Sequence, residues 1–129
     1  MIRTTTPKGD PVWVANGHAE VRDLLQDFDV VLLPPTPTPA FAHDHSEPST
    51  DRKLTVDGVE IPYFDQLALA GIATMPGLPS TVVPTGLTDS GLPTGVQLVG
   101  PMFEDRTPIH LAELLEPELG GFTPPPPLS

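Results

Sequence analysis

The amino-acid sequence predicts an α/β chain in the order helix, buried strand, long loop, helix, β-hairpin, helix. Three observations carry that expectation. Val14, Val21, Leu24, Leu25 and Phe28 recur at helical spacing. Val30 to Leu33 is an unbroken apolar run. Two β-prone segments flank the turn-forming residues Thr88-Asp89-Ser90-Gly91.

Asp10-Pro11 offers an N-cap side chain followed by a first-turn proline, so the first helix is expected to open there. Gly17 weakens that first half and leaves a start near His18 as the alternative. Val30-Val31-Leu32-Leu33, ended by Pro34-Pro35, suits a strand buried on both faces. Residues 36–60 read as loop because prolines and polar residues interrupt them. Tyr63 to Ala73 reads as a helix with Leu67, Ala70 and Gly71 facing a neighbour. In the hairpin, Ser80 to Val83 should be a short strand, since Pro84 cannot donate to a ladder. Val96 to Gly100 is its partner. Asp105 is a good N-cap for a last helix running to about Glu116, with Leu111, Leu114 and Leu115 as the buried stripe. Pro117 should kink or end it.

At 129 residues the chain is one small domain at most. Residues 1–10 are expected to be a flexible N-terminus, 11–121 the ordered segment, and 122–129 a proline-rich flexible tail. Nineteen prolines and 11 glycines break elements often, so partial order is expected, with the best structure in the hairpin and helices. Six basic against 17 acidic residues give a net charge of −11, with no basic run, which makes nucleic acid and anionic membranes poor partners. There is no cysteine for disulfide or thiol chemistry. No apolar stretch approaches the ~20 residues of a membrane span, and Met1 to Lys8 lacks the apolar core of a signal peptide, so a cytoplasmic location is expected.

His43-Asp44-His45 has two imidazoles at i, i+2 but no third ligand in the pattern, so no metal site is expected. Pro34 to Pro39 and Pro124 to Pro127 could serve as polyproline ligands; a strand stop and a solvated terminus explain them more simply. Gln97, polar within an apolar strand, should satisfy neighbouring backbone groups.

One segment has a more specific content. Gly77-Leu78-Pro79-Ser80 leads to Pro84-Thr85-Gly86, then Gly91-Leu92-Pro93-Thr94-Gly95-Val96-Gln97-Leu98-Val99-Gly100-Pro101, then Glu104-Asp105-Arg106-Thr107. This run resembles the C-terminal signature of the amidase signature family. Tyr63 to Leu67 with Ala70 to Ala73, Phe28 to Pro34, and Ala40 to His45 resemble further family segments, and the likeness covers roughly residues 11 to 125. It implies the C-terminal portion of the amidase signature mixed-sheet fold, incomplete as an independent domain. It also implies a parent that hydrolyses carboxylic amides through a Ser–cis-Ser–Lys triad without any cofactor. That triad belongs to an upstream half. Here the only lysines are Lys8 and Lys53, and Ser46, Ser49, Ser80, Ser90 and Ser129 are isolated from any glycine-serine run. No catalytic residue is therefore assigned, and the chain alone is expected to be inactive.

The resemblance implies that Phe41, Tyr63 and Asp65 would line a small-molecule amide pocket in a complete enzyme. Asp65 could instead be a carboxylate favourable to a helix dipole, the preferred reading because the pocket's other wall is upstream. Two other roles stay open: a non-catalytic module that associates with an amidase-like partner chain or with itself, and, more weakly, a proline-rich adaptor.

Overall fold

A computed structural model describes residues 2–5, 11–14 and 18–125. Strands β1 (Ile2–Thr5) and β2 (Pro11–Val14) form a two-stranded antiparallel ribbon. Pro11 therefore opens a strand rather than a helix. Lys8, Asp10, Gly17, Pro126, Pro127 and Ser129 lie outside the described residues. Helix α1 (His18–Asp27) starts at the later of the two positions the sequence allows. Val21 is fully buried and Leu24 and Leu25 pack beside it, whereas Phe28, beyond the last turn, is exposed.

Strand β3 (Val31–Leu33) follows, and it is not buried on both faces: Leu33 is buried and Leu32 is 53% exposed. The expected loop contains a second ribbon, β4 (Lys53–Val56) and β5 (Val59–Pro62). Its turn is Asp57-Gly58, both with positive φ (50° and 79°), the pairing that matches the twist of a two-residue hairpin. A 3-10 turn over Tyr63–Gln66 leads into α2 (Leu67–Thr74). In α2 Ile72 and Ala73 are buried and Leu69 packs beside them; of the three residues expected to face a neighbour, Ala70 and Gly71 are half-buried and Leu67 is exposed.

Strands β6 (Ser80–Leu87) and β7 (Pro93–Val99) form the predicted hairpin, with Gly91 at φ +79° in its turn. Strand β6 does not stop at Pro84. The register shifts between Pro84 and Gly86, leaving Thr85 as the bulged residue. Thr94 Oγ1 donates to the Gly86 carbonyl at 3.1 Å, and pairing resumes beyond the proline. Helix α3 (Arg106–Leu115) closes the fold. Asp105 makes no capping bond, because its own φ/ψ (−53°, −29°) is already helical and the extended cap geometry is missing. The inward stripe is Pro108, Leu111, Ala112 and Leu115; Leu114 is 58% exposed. After Pro117 a turn runs to Gly120, and the Gly121 amide donates to the Glu116 carbonyl at 2.9 Å.

The sheet order is β3-β7-β6, all antiparallel. On one face, Leu33 and Val99 pack with Val21, Ile72 and Ala73 of α1 and α2. On the other, Val83 and Leu98 pack with Ala112 of α3. The result is a helix–sheet–helix sandwich around one short sheet, the mixed α/β architecture that the sequence implies. No helix among the described residues is long and apolar enough to cross a membrane.

Two glycines make opposite packing predictions. A Cβ on Gly100 would lie 2.7 Å from Pro108 Cδ, whereas one on helical Gly71 meets nothing within 4 Å. Gly100→Ala is expected to destabilise the chain by about 1–3 kcal/mol through overpacking. Gly71→Ala should stabilise it by about 0.5–1 kcal/mol. Urea unfolding of both variants measures the two signs.

Candidate functional site

The described residues enclose a cleft with a volume of about 390 Å³. One wall is the proline-rich run after β3, with Pro37, Thr38 and Phe41; the other is the β4–β5 ribbon, with Leu54, Val56 and Asp57. The prolines hold the first wall extended without needing ladder donors. The Asp57-Gly58 turn, flanked by alternating apolar residues, builds the second, and that dipeptide is the sequence signal from which this ribbon can be read.

The structure brings two of the three predicted pocket residues together. The Phe41 and Tyr63 rings meet edge to face with centroids 5.9 Å apart. Phe41 lines the cleft, while Tyr63 stands behind it, fixed by its amide donating to the Arg52 carbonyl at 3.0 Å. The Arg52 guanidinium lies 5.9 Å from the centroid of the Tyr63 ring, over its face. Asp65, in the same 3-10 turn as Tyr63, is exposed and does not line the cleft.

Beside the cleft, Thr38 Oγ1 donates to Gln66 Oε1 at 3.1 Å, tying the proline-rich run to the start of α2. Gln66 Nε2 and Gln97 Nε2 are buried with no hydrogen-bond partner, so the Gln97 amide does not donate to the backbone as its position in the sequence suggests.

The loop from His43 to Arg52 is locked by its own polar groups. Ser46 donates to Asp44 Oδ1 from both its amide (2.9 Å) and its hydroxyl (2.6 Å). Arg52 donates to the Ser46 carbonyl at 2.7 Å and to Glu47 at 2.9 Å. The Ser46 hydroxyl bond first, and its amide bond second, hold the Asp44 carboxyl below its ordinary pKa. A carboxylate stabilised in this way is a weaker base, so the Ser46–Asp44 contact shapes a turn rather than activating a nucleophile. The His43 and His45 rings stack 5.8 Å apart, and among the described residues no group of three or more ligating side chains is assembled for a metal.

These features define an α/β scaffold segment with an aromatic-backed cleft. No Ser or Thr hydroxyl among the described residues is bonded to a lysine or histidine. The family model described as Amidase matches residues 15–108, and the chain belongs to that family. The glutamyl-tRNA(Gln) amidotransferase of Xanthobacter autotrophicus has an A-type subunit that is 41% identical over 97 residues, covering 75% of this chain and 18% of the relative. The crystal structure of the corresponding Thermotoga maritima amidotransferase protein superposes with a TM-score of 0.56 at 27% identity, over 77% of this chain and 19% of that one. A crystal structure described as an amidase gives 0.62 at 27% identity, over 79% and 22%. The chain thus spans about a fifth of the length of the relatives it matches.

The lowered carboxyl of Asp44 has a direct consequence. Its folded pKa lies below its unfolded value, so its contribution to loop order is present above the ordinary aspartate range and is lost as pH falls through the lowered folded value. Ser46→Ala is expected to move the Asp44 titration, followed by carboxyl NMR, back up toward the ordinary value. An unchanged titration would show that Ser46 does not hold it.

Proposed function

We propose that this chain is a structural portion of an amidase signature hydrolase whose complete form cleaves carboxylic amides through a Ser–Ser–Lys triad, and that the chain alone is not catalytic. One observation carries the reading. The family match runs over residues 15–108, yet the sequence holds only two lysines and no glycine-serine run. Lys53 opens β4 opposite Pro62, and none of the hydrogen bonds of Ser46, Ser49 or Ser90 joins it to that lysine. A serine needs a positioned base and preorganised donors to attack a carbonyl, and neither surrounds these serines.

Within a complete enzyme the segment supplies the β3-β7-β6 sheet, the closing helix α3 and part of a substrate wall. Phe41 and Tyr63 form that wall, supported by their edge-to-face contact and by Phe41 lining the cleft. Asp65, exposed in the first turn that follows Pro62, keeps its preferred role as a first-turn carboxylate, with contact to a small-molecule amide as the alternative. No cofactor is required by this chemistry.

A second reading concerns association. The two amidotransferase relatives are subunits by name, and the sheet has half-exposed apolar residues on both faces, Leu32 on the α3 side and Val82 on the α1/α2 side. These support the chain acting as a module that joins an amidase-like polypeptide.

Ammonia release from simple carboxamides by the purified chain tests the catalytic claim. Release no faster than in buffer is expected. Turnover that survives Ser46→Ala, Ser49→Ala, Ser80→Ala, Ser90→Ala and Ser129→Ala alike would mark a contaminating enzyme. Turnover abolished by one of them would contradict the claim by identifying a working nucleophile.

A further inference from the structure

The cleft between the proline-rich run and the β4–β5 ribbon has a one-sided chemistry. Nine residues line it, and the single ionisable side chain among them is Asp57. Phe41, Leu54 and Val56 give it apolar surface. Its first wall is poor in donors. Pro37 and Pro39 carry no backbone N–H, and the Thr38 hydroxyl already donates to Gln66 Oε1. A ligand that brings carboxylate or phosphate groups meets no basic side chain in this lining. A ligand that brings N–H donors and positive charge meets a carboxylate beside an aromatic ring.

The charge of Asp57 is not used within the chain. Among the described residues no lysine or arginine pairs with it; the Arg52 guanidinium is held by Glu47 at 2.9 Å. Its φ of 50° before Gly58 calls for a residue that tolerates the left-handed region, and Asn meets that demand as well as Asp. The turn therefore accounts for the shape of this side chain but not for its charge. Phe41 is 44% exposed, so its ring packs on Tyr63 and still offers surface to the cleft. The net charge of −11 attracts cations to the chain and repels anions.

We propose that the cleft binds a small organic cation with an apolar body, its ammonium group against the Asp57 carboxylate and its body on Phe41, Leu54 and Val56. The inference rests on the substrate-wall reading given above and narrows it: the amide taken by a complete enzyme carries a protonated amine.

The test titrates the full chain with para-aminomethylbenzamide, neutral para-methylbenzamide and anionic para-carboxybenzamide, following the backbone amide signals of Ala40, Phe41 and Asp57 by NMR. An exposed ion pair is worth about fivefold in affinity at most, so the cationic amide is expected to bind about fivefold tighter than the neutral one. The anionic amide should bind more weakly than either. Asp57→Asn, which keeps the turn, should bring the cationic amide down to the affinity of the neutral one and leave the neutral one unchanged.

Equal binding of the cationic and neutral amides, or a cation preference that survives Asp57→Asn, would overturn the cation site while leaving the amide wall standing. Benzylammonium, which has no carboxamide, separates the two claims from the other side. If it shifts the cleft signals and the neutral amide does not, the cation site holds and the substrate-wall reading falls. Shifts at none of these residues with any of the probes would overturn both.

Discussion

The fold depends on the double pairing of β7. Its neighbours β3 and β6 are not adjacent in the sheet order, so β7 alone joins them. It is also where the two apolar layers meet back to back. Leu98 faces α3 and Val99 faces α1 and α2, and both are fully buried. Adjacent residues on a strand point to opposite faces, so two consecutive side chains seal two cores at once. The same strand delivers Gly100, whose missing side chain lets Pro108 of α3 approach the sheet. Each of the two core clusters contains one fully buried β7 side chain, Val99 or Leu98, packed against residues from the other elements.

How much of this was legible in the sequence varies by element. The β6–β7 hairpin, α1 from Val21 onward and α3 could be read because period and turn chemistry agreed. The β4–β5 ribbon was hidden by a proline-rich context, although Asp57-Gly58 between alternating residues marks it. Pro84 misled for a physical reason: a bulge isolates the missing donor, and composition does not reveal a bulge. Leu67 and Leu114 satisfy helical periodicity yet face outward, because periodicity fixes which residues share a stripe but not which stripe meets the sheet. Of the candidate pocket residues, Phe41 and Tyr63 were brought together by a contact between distant parts of the chain that no local pattern encodes. Asp65 does not line the cleft.

The family membership and the physical reading meet at one point. Glycines and prolines recur through the stretch that most resembles the amidase signature, and their work in this structure is conformational: turns, a bulge, and close approaches at Gly95 and Gly100. None of them can donate or accept a proton in catalysis. The segment is thereby suited to hold a sheet in place for chemistry carried elsewhere. Leu32 on the α3 face of the sheet and Val82 on the α1/α2 face are half-exposed, and the Gln66 and Gln97 amides are buried without a hydrogen-bond partner.

The central claim is that β7 welds both helical layers into one unit. Urea unfolding followed at the methyl groups of Val21, on the α1/α2 side, and of Ala112, on the α3 side, tests it directly. Coincident midpoints and slopes are expected, since neither layer can open without exposing the strand they share. Separate transitions, with Ala112 released while Val21 remains packed or the reverse, would contradict the account.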